Sequence, residues 1–302
     1  MKILTLTLNP AFDVHANAEE LKLHHENFAR VTAREAGGKG INIARAAFAG
    51  GCPIETLVVL GEENGADFSG LLQKDGIPFT PFFVPGRIRE NLTVHEENGA
   101  ETRISFPGFS ADASLLDRLT GHLEPALTAG DILVFSGRAP DGLPISPFLS
   151  FLQKQKERGI RLVLDSRSLS LNHLKSIRPF LIKPNEEEVS SYLGRTVSTL
   201  SEAGDAARVL RETVAENVLV SMGDLGAVLA CPDGLFSAPA PAIRPVSTIG
   251  AGDSMIAGFL AGIRESASPQ ACLRLAVAYG SAACLTDGTR PPRKEDIASF
   301  LK

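Results

Sequence analysis

The stretch that says most about the fold is Ser247-Thr248-Ile249-Gly250-Ala251-Gly252-Asp253-Ser254, which precedes an apolar segment with the spacing of a buried helix. Glycines at 250 and 252 let the backbone turn its N–H groups towards one point at the helix start, where negative charge is stabilised. Asp253 then falls in the first helical turn. Its carboxylate is either a helix cap or a general base that accepts a proton from an attacking hydroxyl group during phosphoryl transfer. Short glycine-rich motifs are common, so this stretch alone leaves both interpretations open.

A second glycine-rich stretch, Gly37-Gly38-Lys39-Gly40-Ile41-Asn42, opens the first predicted helix. Its bare backbone permits a polar ligand to approach closely, and Lys39 can hold a phosphate group. The alternative is an ordinary glycine turn with Lys39 in solvent. Glycine turns are frequent before helices, so the pattern alone favours that alternative.

The third stretch is Lys183-Pro184-Asn185, followed by Glu188, directly after the apolar segment 180–182. Asn185 and Glu188 can present oxygen atoms to a hydrated Mg²⁺ ion, which commonly keeps several of its waters. Their spacing is also close to that of a capping box at a helix start. From spacing alone, the cap is the better interpretation.

The fourth stretch is Ser221-Met222-Gly223 with Gly226, which follows the apolar segment 218–220. Such a loop can bring backbone amides against nucleotide phosphates. It is also typical of a plain turn between two strands, so it is weak when taken alone.

Between these motifs, short apolar segments alternate with amphipathic ones, which predicts an α/β fold with a mostly parallel sheet. Beside an initial strand before Asn9-Pro10, the predicted strands are 54–60, 132–135, 162–164, 180–182 and 218–221. The predicted helices are 40–49, 66–74, 114–123, 145–158, 201–212, 252–264 and 269–285. Segments 14–36 and 79–106 depart from this alternation of strands and helices, and the second contains Asn98-Gly99, which predicts a hairpin turn. We expect a single domain over residues 1–302, with these two segments forming a small β-sheet lid over the carboxyl ends of the main strands.

Composition limits the partners. Lys and Arg number 30 against 35 Asp and Glu, a net charge of −5, so no general basic field attracts nucleic acid or an anionic membrane. No apolar stretch is long enough for a membrane helix, and the first residues lack the pattern of a signal peptide. We therefore expect a cytoplasmic protein whose anionic ligands are held by local cations.

Together the four stretches resemble those of the ribokinase-like carbohydrate kinases, specifically the phosphofructokinase B branch. The resemblance covers nearly the whole chain and includes Thr7-Leu8-Asn9-Pro10, Asp13 and Ser136-Gly137. It implies a three-layer α/β/α fold, a sugar kinase that uses ATP and Mg²⁺, and a homodimer formed through the lids.

The resemblance also implies roles for individual residues. Asp253 would be the catalytic base on the sugar hydroxyl, and the amides of Gly250, Ala251 and Gly252 would form the anion hole for the transferring phosphoryl group. The residues implied for the sugar are Asp13, Gly38, Asn42 and Ser136, with Lys39 and Arg89 facing the phosphate already on the substrate. Those implied for ATP are Lys183, Asn185, Ser221, Gly223 and Gly226. Asn185 and Glu188 match the family's NxxE motif, which is linked to Mg²⁺ through water.

Motifs within the branch favour different sugar phosphates. Lys39 and Asn27 are similar to 1-phosphofructokinases and tagatose-6-phosphate kinases, whereas segments 89–94 and 287–290 look like the minor 6-phosphofructokinases. The TRxNxK pattern of many 1-phosphofructokinases is not kept at Ile88 or Thr93. Residue Arg138 and the segment 165–168 are further departures. We expect fructose 1-phosphate as the substrate, with tagatose 6-phosphate and fructose 6-phosphate as the alternatives.

Two other interpretations stay open. One is a binding protein for nucleotides or sugar phosphates that has lost catalysis, although Asp253 and its glycines argue against it. The other is a kinase of neutral sugars or nucleosides, which would not need Lys39 and Arg89 together. Arg89 itself could instead pair with Glu90, Glu96 or Glu101 on an exposed sheet, where it would matter little.

Overall fold

A computed structural model describes residues 1–302 of the chain. The strands are β1 (Ile3–Thr7), β2 (Ala11–Ala18), β3 (Arg30–Gly37), β4 (Glu55–Gly61), β5 (Thr80–Val84), β6 (Arg89–Glu96), β7 (Glu101–Ser105), β8 (Ile132–Ser136), β9 (Arg161–Asp165), β10 (Leu181–Ile182), β11 (Asn217–Ser221), β12 (Ala227–Cys231) and β13 (Gly234–Ala238). The helices are α1 (Lys39–Ala49), α2 (Gly65–Lys74), α3 (Ser114–Ala126), α4 (Ile145–Glu157), α5 (Leu171–Ile177), α6 (Glu186–Leu193), α7 (Leu200–Thr213), α8 (Ala251–Arg264), α9 (Pro269–Ala283) and α10 (Lys294–Ser299).

The main sheet has nine strands in the order β13-β12-β11-β10-β9-β8-β1-β4-β5. Its strands from β11 to β5 are parallel, and β12 and β13 extend it in antiparallel fashion. Neighbouring residues of one strand belong to cores on opposite faces: Leu133 lies in one core and Ile132 in the other. Burial on both faces explains why these strands read as continuous apolar runs. The predicted α/β/α arrangement, with a mostly parallel central sheet, is confirmed.

A separate sheet of four strands, in the order β3-β2-β6-β7, forms the small sheet. Strands β6 and β7 are an antiparallel hairpin, as Asn98-Gly99 predicts, and Gly99 adopts a left-handed backbone with φ of 87°. Strand β2 pairs in parallel with β6, which brings the two halves of the small sheet together across about 80 residues of chain.

The segment 79–106 divides between the two sheets, contrary to expectation. Strand β5 pairs in parallel with β4 and is the edge strand of the main sheet. Phe82 therefore packs against the main core, with its ring edge-on to His122 at 5.4 Å between centroids. The reason is topological: α2 is the crossover that returns the chain to a parallel strand beside β4. Only 89–105 of this segment contributes strands to the small sheet.

None of the helices combines the length and apolar character that crossing a membrane requires.

Candidate active site

A central cavity of about 540 Å³ is lined both by the small sheet and by residues at the carboxyl ends of the main-sheet strands. An adjoining cavity of about 840 Å³ is lined by the loop after β11, the segment 240–245 and the helices α8 and α9. The two cavities share Asn185, Ser221 and Gly252 in their walls. Two ligands, one in each cavity, would therefore meet beside Gly252 and the start of α8.

Asp253 lies at this junction, in the first turn of α8. The chain enters the helix through Gly250, whose φ of 78° is a left-handed conformation that glycine adopts without strain. The Asp253 side chain is buried, and Asn42 Nδ2 donates a hydrogen bond of 3.0 Å to its Oδ2. Burial raises the pKa of Asp253 to about 6, although the cations Lys39 and Lys183 and the bond from Asn42 oppose the shift. A carboxylate with this pKa is suited to accept a proton near neutral pH.

The backbone around Gly252 is shaped to receive an anion. A Cβ atom at Gly252 would lie 3.0 Å from Nζ of the buried Lys183, so a side chain here would crowd the ammonium group. The amide of Ala251 donates to the carbonyl of Thr248 in a long bond of 3.4 Å. The amides of Gly252 and Asp253 donate to no backbone carbonyl of the chain, as expected for the first turn of a helix. The start of α8 therefore offers N–H donors next to a lysine ammonium group.

Asp165, at the end of β9, connects the two lysines that the sequence predicts in the site. Its Oδ2 is 3.0 Å from Nζ of Lys39 and accepts a hydrogen bond of 3.2 Å from Oγ of Ser136. Burial opposes ionisation of Asp165, but the ammonium groups of Lys183 and Lys39 outweigh it and lower the pKa of this carboxyl. Sequence reasoning missed Asp165 as a site residue. The available signal was an acidic residue directly after an apolar strand.

A second group of polar side chains lies on the small sheet. Asn91 Nδ2 donates to Oδ1 of Asp13 at 2.8 Å, and Nη1 of Arg89 donates to Oδ1 of Asn91 at 3.0 Å. Burial raises the pKa of Asp13, and Asn91 and Arg89 oppose that shift. The Nε of Arg89 is buried without a hydrogen-bond partner. Arg89 thus faces the central cavity, and its recorded hydrogen bond goes to Asn91 rather than to Glu90, Glu96 or Glu101.

Glycines shape the backbone around these groups. A Cβ atom at Gly37 would lie 2.0 Å from Oδ2 of Asp13, so the carboxylate takes the space that a side chain would fill. Gly38 precedes α1 with φ of 141°, and it lines the central cavity together with Lys39 and Asn42. Lys39 lies beside Asp165 and Asp253, whose charges oppose the effect of burial and raise its pKa.

Asn185 and Glu188 form the capping box at the start of α6. Asn185 Oδ1 accepts from the amide of Glu188 at 2.8 Å, and Glu188 Oε2 accepts from the amide of Asn185 at 3.2 Å. The remaining carboxylate oxygen, Oε1, lies 3.8 Å from Nε of Arg167. No cluster of three His, Cys, Asp or Glu side chains is arranged to hold a metal ion. The residues present therefore fit a hydrated Mg²⁺ ion that Glu188 contacts through water, not a fully protein-coordinated ion.

The loop after β11 lines the adjoining cavity. Ser221, Gly223 and Gly226 all contribute to its wall, and the two glycines have φ of 56° and 110°. At Gly226 a Cβ atom would lie 2.1 Å from the carbonyl oxygen of Ala238, so the close approach of this loop to the end of β13 requires glycine. Apolar side chains including Ile243, Met255 and Val277 line another part of the same cavity.

With this geometry in place, the family is established: residues 11–296 match the pfkB family of carbohydrate kinases, and the chain belongs to it. It is therefore a phosphotransferase whose acceptor is an alcohol group. The family resemblance read from the sequence motifs is confirmed.

Within this family, the chain is similar to several proteins of named activity. The chain is similar to the 1-phosphofructokinase of Escherichia coli K12, with 30% identity over 300 residues, 99% of this chain and 96% of the relative. The 1-phosphofructokinase of Bacillus subtilis is 30% identical over 285 residues, 94% of this chain and 93% of the relative. Among solved structures, phosphofructokinase-2 from Escherichia coli in complex with substrates and products superimposes with a TM-score of 0.91 at 29% identity, covering 99% of this chain and 98% of the other.

Proposed function

We propose that the protein is a 1-phosphofructokinase, which transfers the γ-phosphoryl group of ATP to a primary hydroxyl of fructose 1-phosphate and yields fructose 1,6-bisphosphate. The observation that carries this proposal is the position of Asp253: a buried carboxylate at a helix start, where one cavity lined by cations meets a second cavity lined by glycine turns and apolar side chains. The curated relatives named above supply the substrate.

In this proposal Asp253 is the general base. The sugar hydroxyl oxygen attacks the γ-phosphorus, its proton passes to the carboxylate, and the bond from phosphorus to the bridging oxygen breaks as ADP leaves. Asn42 holds Oδ2 of Asp253 at 3.0 Å, which leaves Oδ1 to receive the proton. The alignment of the base is thus fixed before the substrate binds.

The charge that develops on the phosphoryl group is met by the start of α8. We assign the anion hole to the backbone at Gly250, Ala251 and Gly252, with Lys183 as the adjacent cation. Fixed N–H dipoles at a helix start stabilise such charge without reorganisation during the reaction.

The sugar phosphate is assigned to the central cavity. Asp13, Gly38 and Asn42 line it and are the proposed sugar contacts, and Arg89 is the proposed contact for the phosphate already present. Arg89 suits this role because its buried Nε lacks a partner and its planar guanidinium can bind two phosphate oxygens. Lys39, which the sequence suggested for that phosphate together with Arg89, instead lies beside Asp165 and Asp253, so we assign it to the reacting end of the same cavity. Ser136, which the sequence also suggested for the sugar, is buried and does not line the cavity; its Oγ donates to Asp165 instead.

ATP is assigned to the adjoining cavity. The apolar wall suits the base, and the loop with Ser221, Gly223 and Gly226 suits the phosphates. Mg²⁺ bound to the nucleotide would neutralise part of the phosphate charge, with Asn185 and Glu188 holding its waters.

A second candidate is fructose 6-phosphate as the acceptor. Segments 89–94 and 287–290 are similar to the minor 6-phosphofructokinases, and the TM-score of 0.91 to phosphofructokinase-2 favours the same candidate. The test is a coupled assay of ADP release with ATP, Mg²⁺ and each of fructose 1-phosphate, fructose 6-phosphate, tagatose 6-phosphate and fructose. The highest kcat/KM is expected with fructose 1-phosphate. If kcat/KM is higher with another acceptor, that acceptor is the substrate instead of fructose 1-phosphate. If no phosphorylated acceptor is turned over, the proposal is wrong.

We also infer that the small sheet acts as a lid over the central cavity and pairs with the same sheet of a second chain. Its outer strands β3 and β7 have no neighbour beyond them in the sheet, and the loop between β2 and β3 carries Leu23 and Phe28, which are 86% and 84% exposed. An open strand edge can pair with another chain, and exposed apolar side chains beside it add to such an interface.

A further inference from the structure

Arg167 stands in a turn just beyond β9 that is fixed on both sides. The amide of Ser168 donates to Oγ of Ser166 at 3.1 Å, and the amide of Leu169 donates to the Ser166 carbonyl at 3.2 Å. Oγ of Ser168 accepts from the amide of Ala139 at 2.9 Å, and Leu169 is buried in the core. The backbone at Arg167 is therefore held in place by its neighbours.

The side chain of Arg167, in contrast, has only one weak interaction with the rest of the protein. It is 74% exposed and makes no hydrogen bond, and its Nε lies 3.8 Å from Oε1 of Glu188. Three of the other four cations that line the central cavity have closer partners. Lys39 binds Asp165, Arg89 binds Asn91, and Arg103 binds Glu101. The fourth, Lys183, is buried and makes no hydrogen bond, although its charge lowers the pKa of Asp165. Arg167 is thus the only arginine of these five cations that makes no hydrogen bond, and it is exposed whereas Lys183 is buried.

The position of Arg167 places it near the junction of the two cavities. Leu164 of β9 is opposite Ile182 of β10 in the sheet, so Lys183 is level with Asp165, and Arg167 lies two residues further along the chain. Arg167, Lys183 and Glu188 line the central cavity together with Gly252. Gly252 also lines the adjoining cavity, so under the proposed function the phosphoryl group is transferred beside it.

The charges that line the central cavity indicate that a further cation is needed to bind phosphate groups there. The charged groups lining the central cavity include five cations and the carboxylates of Asp13, Asp165, Glu188 and Asp253, so most of the positive charge is already balanced. Two phosphorylated substrates bring several negative charges to this point. An exposed ion pair at 3.8 Å contributes little, whereas a guanidinium binds a phosphate through two parallel hydrogen bonds.

We propose that Arg167 is a further phosphate-binding residue, whose guanidinium leaves Glu188 and binds the terminal phosphate of the nucleotide at the junction of the two cavities. The exchange releases Oε1 of Glu188 towards the waters of Mg²⁺. This inference rests on the proposed function in one respect: ATP is taken as the phosphoryl donor.

The test compares Arg167→Ala and Arg167→Lys with wild type, and uses Arg208→Ala as the control. Arg208 is also an exposed arginine with one carboxylate partner, Asp205 at 3.2 Å, but it lies on α7 and lines neither cavity. Binding of ATP is measured by calorimetry in EDTA and again with Mg²⁺, and kcat/KM is measured for ATP and for the sugar phosphate. Because Arg167 is exposed and its turn is held by other residues, both variants are expected to fold.

Arg167→Ala is expected to weaken ATP binding in EDTA and to lower kcat/KM for ATP by about 10–100-fold, the range for charge-assisted hydrogen bonds. Arg167→Lys should fall between that variant and wild type, and Arg208→Ala should match wild type. The inference is overturned if Arg167→Ala stays within about twofold of wild type in both measurements, or if only sugar-phosphate binding changes. If wild type itself binds no ATP, the proposed donor is wrong, which is a different result from either of these.

Discussion

Nζ of Lys39 lies 3.0 Å from Oδ2 of Asp165, and this ion pair joins the start of α1 to the carboxyl end of β9. The two residues are 126 positions apart in the chain. Asp165 is buried, and the charge of Lys183, the cation beside Gly252, also lowers its pKa. We interpret Asp165 as a positioning residue for Lys39 and as an electrostatic neighbour of Lys183.

Replacement of Asp165 by Asn keeps the shape of the side chain and removes its charge. Lys39 then loses its ion pair, and kcat/KM for the sugar phosphate is expected to fall by about 10–100-fold. The negative charge of Asp165 also raises the pKa of Asp253, so the acidic limb of the pH profile should move to lower pH. A residue with a purely structural role would lower stability without moving that limb. Asp205→Asn, on the exposed face of α7, is the control.

Asp253→Asn should fold and bind ATP while kcat falls by about 10²–10⁴-fold, the usual effect of removing a positioned general base. The amide fits the same space and still accepts the hydrogen bond from Asn42. Steady-state turnover and calorimetric ATP binding measure the two properties separately. A variant that kept more than about a third of wild-type kcat would exclude Asp253 as the base.

The pKa of Asp253, raised to about 6, predicts two opposite pH effects. Activity needs the ionised carboxylate, so kcat/KM should fall about tenfold per pH unit below pH 6. Stability behaves differently, because the folded state binds this proton more tightly than the unfolded state. The stabilising contribution is complete below the unfolded pKa and is lost as pH rises through about 6.

At pH 8, Asp253→Asn should therefore be more stable than wild type, by up to about 3 kcal/mol, and the difference should shrink near pH 4. Urea unfolding of both proteins at the two pH values measures it. Equal free energies of unfolding at pH 8 would show that the buried carboxylate carries no such cost.

The sequence predicted those features whose cause is local. The apolar run 132–135 predicted a buried strand, and the glycines before Asp253 predicted the start of a helix; the structure has both. Both predictions were possible because a strand and a helix start depend on residues that are neighbours in the sequence. The prediction that all of segment 79–106 belongs to the lid was wrong, because β5 joins the main sheet. A short strand of five residues does not itself specify which sheet it joins. Asp165 was missed for a similar reason: its importance comes from Lys39 and Lys183, which only the fold brings to it.

Arg89→Ala tests the proposed contact with the phosphate already on the sugar. Loss of the guanidinium should raise KM for the sugar phosphate by about 10–100-fold, as expected for charge-assisted hydrogen bonds, and leave KM for ATP unchanged. Arg103→Ala is an informative comparison, because Arg103 lines the same cavity but is bonded to Glu101. An unchanged sugar-phosphate KM in Arg89→Ala would remove the main reason for preferring a phosphorylated acceptor over a neutral one.

The proposed dimer is tested at the loop between β2 and β3. Phe28 is 84% exposed and lies beside the open edge of the small sheet, so we expect a dimer at micromolar concentration in which this ring is covered. A charge there is costly to bury, so Phe28→Asp should shift the protein to monomer. Val209→Asp is the matched control, because Val209 is an exposed apolar residue on α7, outside the small sheet. Light scattering with and without the sugar phosphate measures the mass. A wild-type protein that is monomeric under both conditions, or a dimer that Phe28→Asp leaves intact, would show that this surface is not the interface.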